Sequence, residues 1–234
     1  MTTLLLATLL LSAQADAQAD AAIDAFKKAY ATDSSADRAA AAAQLGKTPH
    51  AKTLSILKGL LTKDEATVRA AAARALGTFE DHRKEALVAL LNALSPNARE
   101  PGALAAVLDA IGKVGDASAA PAVHRYFDER DPRVAQSSYE ATGAIGSAGS
   151  VDPLIEYLKK LEQKAVSRPG NVDANPNGNG VIVSGDYALR QRAEKLIPEV
   201  NKALARITGQ NFMSAKDWQA WWSQNRATFK PNKP

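Results

Sequence analysis

The sequence predicts an all-α fold: an α-α superhelix of stacked helical hairpins, an α-solenoid, closed by a helical C-terminal cap. Three observations predict it. Alanine abounds and aromatic residues make up only 6% of the chain, while the runs of Val, Ile, Thr and Tyr that build strands are nearly absent. Amphipathic segments recur, each closed by a glycine, and Gly46, Gly77, Gly112 and Gly143 stand 31, 35 and 31 residues apart, a period of helical-hairpin arrays. No cysteine is present, so stability must come from packing and capping rather than crosslinks.

The chain opens with "MTTLLLATLLLSAQADA", where an apolar run from Leu4 to Leu11 meets small residues ending in Ala15-Asp16-Ala17. That layout is a secretory signal peptide over 1–17, although it lacks the usual opening Lys or Arg. A mature chain starting near Asp16 or Gln18 is expected, in a secreted or periplasmic setting. This run falls well short of the roughly 20 residues that span a bilayer as a helix, and no later run approaches that length. No transmembrane segment is therefore expected. The following residues, 18–33, read as an N-terminal capping helix around Ile23 to Tyr30.

Four hairpins follow, at about 34–63, 64–97, 98–129 and 130–163. Their first helices lie in "SADRAAAAAQLGKTP", "DEATVRAAAARALGTFED", "EPGALAAVLDAIGKVGD" and "DPRVAQSSYEATGAIGS". Asp64 and Asp131 sit where an N-cap accepts from free amides, and Pro101 and Pro132 where the first helical residue needs no donor. The closing glycines are suited to the left-handed conformation that ends a helix. The second helices are "TLSILKGLL", "EALVALLNAL", "APAVHRYFDE" and "VDPLIEYLKKLEQ". Apolar residues at spacings of three and four, such as Leu154, Ile155, Leu158 and Leu161, give each a face that a neighbour must cover.

The stretch "DPRVAQSSYEATGAIGSAGSVDPLIEYL" resembles a HEAT-type repeat, of the bacterial HEAT-like variety also found in phycobilisome lyases. The resemblance covers four repeats from Ser34 to about Gln163, with a second motif glycine at Gly115 and Gly146 that is Pro49 and Glu80 in the first two. It implies an α-solenoid whose second helices line a concave face that binds other molecules, commonly proteins, and it implies no activity. On that geometry Lys58, Lys84, Arg125, Lys159 and Lys160 project from the concave side, with Tyr157 as an aromatic anchor for a protein partner.

Catalytic signatures do not accompany the repeats. A diiron hydroxylase built on such repeats needs His-Glu dyads, whereas His50, His82 and His124 are followed by Ala51, Arg83 and Arg125. The similarity to chromophore lyases carries no transferable catalytic residue. There is no Gly-x-Ser-x-Gly elbow, Walker loop or His-Glu-x-x-His. The acidic cluster "DERD", Asp128 to Asp131, could supply paired carboxylates for acid–base work, but it falls at a hairpin junction, where Asp131 reads as a cap and the rest as solvated turn.

Residues 164–186 form an inserted loop rich in Asn and Gly, "SRPGNVDANPNGNGVIVSGD" at its centre, with a short extended piece at Val181 to Val183. Asp173, Asn175 and Asn177 match the first, third and fifth positions of a calcium loop, and Gly178 its turn. Ser184 stands where the bidentate glutamate belongs, and only one carboxylate is offered for a cation that takes about six to eight oxygens. A metal-free loop is the expectation, with no cofactor elsewhere.

The last segment, 187–234, resumes helical spacing, with Pro198 expected to bend or divide it. Trp218, Trp221 and Trp222 then hold every tryptophan of the chain. This cluster reads as the structural cap over the final repeat, or as an exposed platform for a sugar or cation. "ALARITGQNF" followed by the tryptophans resembles the closing segment of many secreted bacterial HEAT-repeat proteins.

The formal net charge of +4 rises by one when Asp16 leaves with the signal segment. The cations are scattered among Asp and Glu, and an exported chain does not meet nucleic acid. The expected function is a non-catalytic protein-binding scaffold of the bacterial cell envelope. The alternative is a binder of an anionic envelope polymer or lipid head groups; a lyase-type enzyme would need a pocket of perturbed titratable groups.

Overall fold

Eleven α-helices and two single-turn 3-10 segments form among residues 2–166 and 185–231, the parts of the chain described by a computed structural model, and no strand lies among them. The fold class is all-α, of the α-solenoid type. The chain divides into two compact units, 1–122 and 123–234.

In the first unit α1 runs from Thr2 to Tyr30. Its side chains from Ser12 to Gln18 are exposed, and Ala19 is buried. Then come α2 (Ser35–Leu45), α3 (Ala51–Lys63), α4 (Ala66–Leu76), α5 (Arg83–Ala93) and α6 (Pro101–Val114). The first helices α2, α4 and α6 pack in succession, the second helices α3 and α5 pack together, and α1 covers α2 and α3. This is how hairpins with one apolar face each obtain a shared core. His50 begins α3 as its cap: the ring Nδ1 accepts from the Lys52 amide at 3.2 Å, and the Thr53 hydroxyl accepts from the His50 amide at 3.1 Å.

The periodic glycines do something other than end helices in a left-handed turn. Gly46 and Gly77 cap α2 and α4 with φ of −63°, and Gly112 and Gly143 lie inside their helices. Left-handed caps fall instead at Gly115, Gly146 and Gly209, with φ of 68°, 68° and 71°. What the period marks at three positions is close helix contact. A Cβ on Gly46 would lie 2.4 Å from that of Ala75, and on Gly77 or Gly143 about 3.0–3.1 Å from the Cα of Ala110 or Ala203. Without a side chain, one first helix can lie directly against the next.

Asp64 is likewise not the cap of α4, a place held by Glu65. The Asp64 carboxylate is drawn to Arg38, which donates to it at 3.2 and 3.0 Å, and to the Tyr30 hydroxyl. Asp131 does cap its helix, accepting from the Arg133 amide at 2.9 Å, and Pro101 and Pro132 do open α6 and α8.

At the division stands α7 (Ala120–His124), shorter than the expected second helix. The chain there tightens into bonds of the i to i+3 type, Tyr126 to Val123 and Phe127 to His124, which turn Phe127 inward. The second unit continues with α8 (Pro132–Ile145), α9 (Val151–Val166), α10 (Gly185–Thr208) and α11 (Ala215–Asn225). Because α10 packs on α8 and α11 on α9, α10 and α11 stand as a further hairpin, in the relation that α4 and α5 bear to α2 and α3. Pro198 lies within α10 and does not divide it. The helices flanking the insertion reach Val166 and resume at Gly185, so the expected loop is shorter at both ends; its calcium-like residues Asp173, Asn175 and Asn177 and the piece Val181–Val183 lie outside the described residues.

Candidate functional site

Side chains with polar chemistry converge in the second unit, around α9. Tyr157, Lys160, Leu161 and Lys164 recur at spacings of three and four and so share one stripe of that helix. The turn after α7 presents Phe127 and Asp128 to this stripe, α8 contributes Tyr139, and α10 contributes Leu189, Arg192 and Ala193, again spaced by three and four. Phe127, Tyr139 and Tyr157 form a three-ring cluster with centroids 5.2–5.8 Å apart. The Tyr139 hydroxyl donates to the Phe127 carbonyl at 2.6 Å, and the Tyr157 hydroxyl donates to Asp128 Oδ1 at 2.8 Å.

Burial decides the chemistry of these hydroxyls. It pushes the Tyr157 phenol up to about 12 and raises Tyr139 as well, so both stay protonated and serve as fixed donors rather than nucleophiles or bases. His124 is held below the ordinary imidazole value by burial; its Nε2 lies 3.0 Å from the Ser150 hydroxyl and its ring 5.0 Å from Phe127. Ser150 is wholly buried, which makes this pair a structural contact between α7 and the turn before α9.

Two grooves flank the Asp128–Tyr157 hydrogen bond. One, about 350 Å³, runs between His124, Arg125 and Phe127 on one side and Pro153, Glu156 and Lys160 on the other. The second, about 220 Å³, is bounded by Arg130, Lys164 and Arg192 over a floor of Leu161, Leu189 and Ala193. Lys164 Nζ approaches Asp128 at 3.7 Å, and Arg192 donates to the Glu129 carbonyl. Arg125, Arg130, Lys160 and Arg192 enter no ion pair among the described residues.

Of the residues picked out in the sequence, Arg125, Tyr157 and Lys160 come together here. Tyr157 is no exposed anchor: it is only 7% exposed, since its ring completes the aromatic cluster and its hydroxyl fastens the turn. Lys159 is exposed on α9 without lining either groove, and Lys58 and Lys84 are exposed on α3 and α5 of the first unit. The "DERD" cluster disperses into separate tasks, Asp128 receiving Tyr157, Glu129 accepting the Arg130 amide at 2.8 Å, and Asp131 capping α8. Lys164 was within reach of the helical spacing from Tyr157. Arg192 was not, being 63 residues from the carbonyl it meets.

Trp218 and Trp222 are enclosed by the chain itself, and Trp221 is partly exposed. Trp218 is fully buried with its indole N–H on Asn201 Oδ1 at 2.7 Å. Trp221 and Trp222 stack at 6.1 Å, and Phe229 stands edge-on to both at 5.9 and 5.4 Å, occupying space that a sugar or cation platform would need. Among the described residues no group of three or more His, Asp or Glu gathers into a metal site, and no helix is long and apolar enough to cross a membrane.

The family model for HEAT repeats matches the chain over residues 23–100 and 86–167, together more than half of its length. No curated protein matches the chain.

Proposed function

Because the chain belongs to the HEAT-repeat family, we propose that it is a non-catalytic protein-binding scaffold of the bacterial cell envelope, working through the outward surfaces of its second helices. One observation carries this reading: α9 and the turn before it offer two grooves rimmed by cations, of which Arg125, Arg130, Lys160 and Arg192 have no ion-pair partner among the described residues, on a framework of buried, protonated tyrosines. A rigid floor with unpaired polar groups at the rim suits recognition of another chain, because little ordering remains to be done on binding. Export is supported by the leader-like sequence, and the side chains from Ser12 to Gln18 that flank Ala15-Asp16-Ala17 are exposed while Ala19 is buried.

Affinity capture of the protein, with brief crosslinking, from the envelope fraction of its own source tests the proposal. A small reproducible set of proteins, lost on Arg125→Glu with Lys160→Glu while the thermal melt is unchanged, is the expected result. The same set captured by the charge-reversed variant would refute the assignment to this face. The excess of cations around the grooves also favours a second reading, an anionic envelope polymer or lipid head groups as ligand. Binding that collapses steeply as salt rises from tens to hundreds of millimolar, with no protein captured, would select it.

A further inference from the structure

The smaller groove has a composition that the scaffold reading does not itself require. Three cations, Arg130, Lys164 and Arg192, face one carboxylate, Asp128, and the floor beneath them is aliphatic. The Asp128 carboxylate is already engaged by the Tyr157 hydroxyl at 2.8 Å and by Lys164 at 3.7 Å. That leaves Arg130 and part of the Arg192 guanidinium to meet an incoming anion. Leu189, nearly half exposed at 48%, is one of only four large hydrophobic residues standing so far into solvent among the described residues, and it lies at the edge of this groove.

Resting on the scaffold reading, we infer that this groove receives the C-terminal carboxylate and last aliphatic side chain of a partner polypeptide. Size and charge select that occupant together. At about 220 Å³ the groove holds roughly one residue and has no room for a helix of about 10 Å diameter. A chain end places its carboxylate and its side chain on the same Cα, so a single residue can satisfy the arginines and cover Leu189 at once. An internal Asp or Glu would need a second residue to supply the apolar part. A planar carboxylate also suits the forked donors of Arg130 and Arg192 better than it suits a point charge.

The test uses the full chain and a fluorescein-labelled peptide, Gly-Ser-Gly-Ser-Ala-Leu with a free C-terminus, followed by anisotropy. The control is the same peptide with an amidated C-terminus. The expected result is binding of the acid peptide, weakened about tenfold or more by amidation, the scale of losing a charge-assisted hydrogen bond. Arg130→Gln should reproduce most of that loss in the acid peptide and leave the amide peptide unaffected. Leu189→Ser should weaken both peptides; this side chain is exposed enough that the melt should hold.

Equal affinity for acid and amide peptides overturns the inference, as does no binding of either. Tight binding of inorganic polyphosphate without binding of the acid peptide also overturns it, assigning the cations to a polymer. Envelope proteins still captured when the peptides fail would show that only this groove was misassigned. Loss of capture by the unaltered protein would remove the scaffold reading itself.

Discussion

A Cβ added at Gly46 would lie 2.4 Å from that of Ala75, a separation that can be relieved only by moving α2 away from α4. Gly46→Ala should therefore cost about 1–3 kcal/mol through overpacking. Gly59, inside α3 with no neighbouring atom within 4 Å of an added Cβ, sets the contrast: Gly59→Ala should stabilise by about 0.5–1 kcal/mol. Urea midpoints at unchanged slope would read both signs. His124 supplies a pH dependence at the same scale. Burial lowers its folded-state value, so below about 6.5 the unfolded chain takes up a proton that the folded chain resists. Its contribution is complete above that pH and is lost as the pH falls through the folded value. The wild type should lose stability more steeply between pH 7 and 5 than His124→Gln, whose amide is neutral throughout; parallel curves would contradict this.

Between elements, charged side chains link one hairpin to the next in the first unit. The fourth residue of α2, Arg38, reaches Asp64 and Glu65 just ahead of α4 at 3.0 Å, and the fourth residue of α4, Arg69, approaches Glu100 just ahead of α6 at 3.8 Å. Burial opposes ionisation of Asp64, but Arg38 and Tyr30 outweigh it and hold the carboxyl below its usual range. In the second unit the last hairpin is closed by aromatic packing instead. Trp218 is enclosed and hydrogen-bonded while Trp221 is partly exposed. Trp218→Ala should cost about 3–5 kcal/mol in chemical denaturation, and Trp221→Ala distinctly less. Equal losses would mean that the cap does not distinguish its two indoles.

For the molecule as a whole, the exposure of the side chains around Ala15-Asp16-Ala17 bears on export. Ser12 to Gln18 are exposed, and the contacts of Asp16 with Lys52 at 3.2 Å and His50 at 3.6 Å lie at the surface, where ion pairs contribute little. Lys52 keeps Asp20 at 2.7 Å if residues up to Ala17 are removed. The envelope-isolated protein should carry an intact mass corresponding to a start at Gln18. A chain made from Gln18 should melt within a few degrees of the full-length one. A start at Met1 in that fraction, or a collapse of the melt on truncation, would contradict the export reading.

How much of this was legible in the residues themselves depends on the distance over which each effect acts. Local rules act within a turn or two of the chain, so the helical periodicity, the prolines opening α6 and α8, the Asp131 cap and the repeat period could all be read directly and lead to the all-α class and the HEAT family. The resemblance to the repeat family singled out Arg125 and Lys160, but with Lys58, Lys84 and Lys159, which line neither groove. What the period meant was decided in three dimensions, because Gly46, Gly77 and Gly143 are small for the sake of alanines about 30 to 60 positions away. The fates of Tyr157 and Asp64 were also set at a distance: each could have been a surface group or a cap, and contacts with Phe127, Tyr139 and Asp128, or with Arg38 and Tyr30, placed them otherwise. The groove beside α9 belongs wholly to the tertiary structure, since it exists only once α10 returns across the insertion to set Leu189 and Arg192 opposite Leu161 and Lys164.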